Sequence, residues 1–65
     1  MDEKKANLIA DALRGETWQS GGDIWLAVIR RADGGVVVIS DDAVCEYENE
    51  AKFEESNPAR TILVR

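Results

Sequence analysis

Asp23-Ile24-Trp25-Leu26-Ala27-Val28-Ile29-Arg30-Arg31-Ala32-Asp33-Gly34-Gly35-Val36-Val37-Val38-Ile39-Ser40 is the stretch on which the fold depends. Two runs rich in β-branched and aromatic residues flank Asp33-Gly34, and glycine reaches the positive φ of tight hairpin turns without steric cost. The reading is a β-hairpin with two open registers. With Asp33 and Gly34 as the loop, Ile29 lies opposite Val38 and Val28 opposite Ile39. With a three-residue loop, a type I turn and glycine bulge that Gly35 allows, Val28 meets Val38 and Ile29 meets Val37. Both registers leave both faces apolar. Trp25, Ala27 and Ile29 share one face of the first strand and Ile24, Leu26 and Val28 the other, while Val36 and Val38 oppose Val37 and Ile39. A sheet with one wetted face would alternate apolar and polar residues. This hairpin needs cover on both sides.

The rest of the chain is short. Sixty-five residues make one α+β domain, residues 1–65, near the lower limit for folding without a metal, disulfide or partner. One cysteine and no histidine exclude an internal disulfide and a structural zinc site within the chain, so no metal or cofactor is expected. A free thiol without a disulfide framework points to a reducing compartment. The charged start Met1-Asp2-Glu3-Lys4-Lys5 does not read as a signal peptide, and the apolar run Ile24 to Ile29 is far too short to span a bilayer. A soluble cytoplasmic protein is expected. The net charge is −5, and Asp41 to Glu55 holds seven of the thirteen acids against Lys52 alone. Such a surface is repelled by phosphate backbones and anionic lipids, so neither nucleic acid nor membrane is an expected partner.

Around the hairpin, Asp2 reads as the cap of a helix to about Arg14, with Gly15 as its left-handed stop. Ala6, Ile9 and Leu13 fall on one stripe flanked by Ala10 and Ala12, with Asn7, Asp11 and Arg14 on the far side. Glu16 to Gly22 reads as a connector that folds Trp18 over the end of the core. Ser40, followed by Asp41 and Asp42, reads as the cap of a second helix to about Lys52, with Ile39 and Val44 as its hydrophobic staple. Ala43, Val44, Tyr47 and Ala51 would face its core, and Glu46, Asn49 and Glu50 the solvent. Cys45 and Phe53 fall opposite that stripe, and Phe53 is expected to fold inward where the helix frays. Asn57-Pro58 ends the helical region, and Thr61 to Arg65 reads as a last strand.

This gives α-β-β-α-β, with a three-stranded mixed sheet of order 2-1-3. The last strand lies beside the first and parallel to the second, and both helices share one face, with one helix on each face as the competing solution. The other face would then lie bare, which points to a homodimer. Catalysis is not expected, since Cys45 lacks a base partner and no carboxylate pair is selected by its spacing. The expected function is a protein–protein interaction module, a homodimeric accessory or regulatory protein that also meets a partner with a basic surface. Its candidate contact residues are Trp18, Trp25, Ala27, Ile29, Val38, Glu46, Asn49, Glu50 and Phe53. Two alternatives are an acidic decoy imitating nucleic-acid charge and a small-ligand pocket near Trp18 and the loop Ser20 to Asp23.

Overall fold

The hairpin forms, and its turn selects the three-residue register. Arg31 N donates to Gly35 O at 2.8 Å, Gly34 N to Arg31 O at 3.1 Å, and Gly35 N to the Asp33 carboxylate at 2.8 Å. Gly34 is the residue with positive φ, at 92°, and is the bulge glycine that the sequence reading placed at Gly35. Val28 therefore pairs with Val38 and Ile29 with Val37.

The computed structural model describes residues 1–41, 43–56 and the backbone of 61–63. In chain order the elements are α1 (Glu3–Ala12), β1 (Glu16–Ser20), β2 (Trp25–Arg30), β3 (Val36–Ile39), β4 (Val44–Tyr47), α2 (Glu50–Ser56) and β5 (Thr61–Leu63). The four strands β1 to β4 make an antiparallel meander, and β5 adds antiparallel to β1, giving the order β4-β3-β2-β1-β5. The α+β class holds, but the mixed three-stranded sheet does not. The place beside β2 that was expected for the last strand belongs to β1, so β5 pairs with β1 and runs antiparallel to β3. The Asn57-Pro58 corner and the end of the expected last strand, Val64 and Arg65, lie outside the described residues.

Two segments account for the difference. Glu16 to Ser20 is a strand and no connector, with fully buried Thr17 pointing to one face and Trp18 to the other. The glycines that follow it are its turn into β2: Gly21 and Gly22 have φ of 66° and 52°, and Ser20 N donates to Ile24 O at 2.8 Å. Ser40 does not cap a helix. It closes a second hairpin, donating its N–H to Ala43 O at 2.9 Å and its hydroxyl to the same oxygen at 3.2 Å. Residues that cap helices are also turn formers. Here the β-favouring Val44-Cys45-Glu46-Tyr47 decides between the two. The second helix starts later, at Asn49, whose side chain accepts from Lys52 N at 2.9 Å.

The first helix is capped by Asp2, which accepts from Lys5 N at 2.8 Å. It ends in a Schellman turn in which Arg14, φ 57°, takes the left-handed position expected of Gly15. Gly15 N reaches back to Ala10 O at 2.7 Å. Its buried stripe centres on Ala6 and Ala10, while Leu13 is half exposed. Asn7, expected on the far side, faces the sheet and accepts the Thr17 hydroxyl at 2.7 Å.

The two helices lie on opposite faces, since Thr17 meets α1 while its neighbour Trp18 meets α2. One core cluster joins Val28, Val36 and Val38 to Phe53 of α2, with Trp18, Leu26 and Tyr47 packed against it. Phe53 is 1 % exposed, with ring centroids 5.3 Å from Trp18 and 5.5 Å from Tyr47, both edge-on. On the other face α1 covers β1 and β2. The expectation that both helices share one face is therefore corrected. A single amphipathic stripe covers only part of a sheet face, and two-sided apolarity draws one helix to each side. Among the described residues, no helix is long and apolar enough to cross a membrane.

Candidate functional site

The nine candidate contact residues divide between the two faces. Trp18 and Val38 lie on the α2 face with Phe53, and Phe53 is interior. Trp25, Ala27, Ile29 and Glu46 lie on the α1 face. Asn49 is the cap of α2, and Glu50 belongs to an ion-pair network. Two local arrangements follow from this layout.

The first is built on Arg30. Its guanidinium bonds Glu50 of α2 in fork fashion, Nη2 to Oε1 at 2.7 Å and Nε to Oε2 at 3.1 Å, and Nη1 lies 2.8 Å from Glu16 of β1. Glu16 in turn accepts the Trp18 indole N–H at 2.9 Å. The bond from Arg30 holds the Glu50 carboxyl below its ordinary range, and the two carboxylates, the Glu50 bond first, hold the Arg30 guanidinium above its own. This arrangement ties the start of α2 to β2 and β1 and uses up the charges it brings together. Trp18, with its N–H bonded and its ring on Phe53, is a packing residue in this arrangement.

The second is an apolar strip on the α1 face. The cross-strand rows there are Ala27–Ile39–Val44 and Ile29–Val37–Glu46. Ala27 is buried, Ile29, Val37 and Ile39 are half-buried, and Val44 is 66 % exposed. α1 stops short of β3 and β4. One end of the strip is bounded by Asp41, which pairs with the Met1 amine and lies 3.9 Å from Lys5. The other end is bounded by Arg31, 3.3 Å from Glu46 and 3.3 Å from Asp33. Asp33 is held below the usual carboxylate range, first by its bond from Gly35 N and then by Arg31. On α1, Ile9 is half-buried and Leu13 is half exposed, one and two turns on from Lys5.

Sequence reasoning placed Ile29 and Glu46 among the contact residues but passed over Val37, Ile39 and Val44. The two-sided apolarity of Val36 to Ile39 was the available signal. Val44 was assigned to the core side of a helix that is instead a strand. Trp25, expected as an anchor, is half-buried at the far end of β2, where its backbone N–H donates to Met1 O at 3.1 Å.

No protein-family model matches this chain, and neither a curated protein nor a solved structure shows significant similarity to it.

Proposed function

We propose that the chain is a non-catalytic protein-interaction module that works as a homodimer through the strip on β3 and β4. The observation that carries this reading is Val44, 66 % exposed on an edge strand and continuous with half-buried Ile29, Val37 and Ile39. Exposed apolar patches on small domains mark interaction surfaces, and edge strands offer unpaired backbone groups to a second strand. Exposed Glu48, Glu54 and Glu55 beside this end of the sheet supply steering toward a further partner with a basic surface.

The acids held in ion pairs on the two faces do not favour the decoy reading. Glu16, Asp33, Glu46 and Glu50 are each engaged by an arginine of the same chain, which breaks up the unneutralised row of charge that a phosphate backbone presents.

Sedimentation equilibrium tests the reading directly. The expected result is a dimer at tens of micromolar, weakened by Val44→Asp and strengthened by added salt, because each copy carries a net charge of −5. A strict monomer at high micromolar concentration in moderate salt overturns it.

A further inference from the structure

We propose that Asp33-Gly34 is a latent isoaspartyl site, held inert by the bonds of its own turn and released when the hairpin opens. The inference concerns a single chain and does not depend on the self-association proposed above.

Aspartate followed by glycine is suited to this rearrangement. The Gly34 nitrogen attacks the side-chain carboxyl carbon of Asp33: a C–N bond forms, the carbon–hydroxyl bond breaks, and the hydroxyl leaves with the amide proton as water. A second water then opens the resulting succinimide ring at either carbonyl. Opening at the former main-chain carbonyl leaves the chain running through the side chain of residue 33, one carbon longer than before. The sequence of steps is redox-neutral and uses water alone. Glycine favours it because no side chain shields the attacking nitrogen, and nothing lies within 4 Å of where a Cβ on Gly34 would stand. Asp33 itself is exposed, so water reaches the carbon that reacts.

The attack needs a nitrogen free to give up its proton and a neutral carboxyl group, and the turn withholds both. Gly34 N–H donates to Arg31 O at 3.1 Å, so loss of its proton would set a negative nitrogen against a carbonyl oxygen. The Asp33 carboxylate accepts Gly35 N–H at 2.8 Å and lies 3.3 Å from Arg31 Nε, and both contacts favour its charged form. The guanidinium is fixed in turn. It lies over Gly35, in the space a Cβ there would take, and reaches Glu46 of β4 at 3.3 Å. Together with the Arg31 N to Gly35 O bond, these contacts also close the loop and set the register of β2 on β3. One extra carbon between residue 33 and Gly34 does not fit that closure, and the Val28–Val38 pairing depends on it. β4 pairs with β3, so Val37, Ile39 and Val44 lose their places in the strip together. A chain that converts while open therefore does not rebuild the proposed interaction surface.

The test incubates the full chain at one pH and temperature, folded in buffer and unfolded in urea, and counts isoaspartate at residue 33 by peptide mapping. Conversion in the folded protein is expected to be at least about tenfold slower, because it draws only on the fraction of molecules whose hairpin is open. Asp33→Asn separates the two holds. Its amide cyclises by loss of ammonia and needs no protonated carboxyl, so it reads the hold on the Gly34 nitrogen alone, and it too should convert at least about tenfold more slowly folded than unfolded. A chain synthesised with isoaspartate at position 33 is the third sample, and should lose the cooperative melting of the native chain. No conversion in urea overturns the site. A folded rate equal to or above the unfolded one, in the natural chain or in Asp33→Asn, overturns the protection. An isoaspartyl chain that melts like the native one overturns the consequence for the register.

Discussion

Gly15→Ala isolates a single steric contact. Gly15 does not hold the left-handed position at the end of α1, which Arg14 fills at φ 57°; it sits where the chain turns into β1 directly against β2. A Cβ added there would stand 2.6 Å from the Val28 carbonyl oxygen and 2.8 Å from Ile29 Cγ1. The first is backbone in a central strand and cannot swing aside, so the start of β1 must lift off β2 by several tenths of an ångström. Overpacking of this kind costs about 1–3 kcal/mol. Alanine recovers about 0.4–1 kcal/mol by restricting the unfolded chain. The net expectation is a loss of about 1–2 kcal/mol, read in urea as a midpoint lowered by about 1–2 M for a domain whose m value is about 1 kcal/mol/M. Gly15→Asn sharpens the result. Asparagine tolerates the left-handed region, so it would be nearly neutral if conformation were the reason for glycine; close approach predicts a loss at least as large as alanine's. A Gly15→Ala midpoint equal to or above the native one would refute the reasoning.

Three further outcomes are expected. Phe53→Ala removes the side chain that ties the seven-residue α2 to Trp18, Tyr47 and the valine cluster, and should cost about 3–5 kcal/mol, leaving a marginal fold by thermal melting. A loss below about 1 kcal/mol would mean that the core does not depend on α2. Asn49→Ala removes the cap bond to Lys52 N and should lower stability by about 1 kcal/mol, with Asn49→Asp restoring it. Glu50 has a folded-state pKa below its ordinary 4.5, so its contribution is present above that value and fades as pH falls through the lowered one. Glu50→Gln should flatten the decline of the urea midpoint between roughly pH 5 and pH 3. An unchanged slope would show that the bond to Arg30 does not contribute.

The central hairpin and the start of α1 were legible because each rests on local chemistry with one solution: glycine in a tight turn between β-rich runs, aspartate before a helix. β1 was hidden because Glu16-Thr17-Trp18-Gln19-Ser20 has no apolar alternation; it is held by ladder bonds, a buried hydroxyl and one ring. β4 was hidden because Ser40 and its aspartates serve a helix cap and a hairpin turn equally well. Only the pairing of Val44 to Tyr47 with β3 separates the two. With β4 read as helix, Val44 became a core residue and the strip around it disappeared. The strip was thus partly visible: Ala27 and Ile29 were among the expected contact residues, together with Val38 of the opposite face, and the strand that makes the edge was missing.

β1 also has a bearing on how the molecule comes apart. Two adjacent residues of this strand hold the two helices, Thr17 through Asn7 and Trp18 through Phe53, and β5 hangs from its outer side. Peeling β1 from β2 would carry β5 away and cut both of these ties, but it would leave α1 on β2 and Phe53 of α2 on the valines of β2 and β3. Amide exchange should therefore report β1 and β5 opening as one unit, at a free energy below that of β2 and β3.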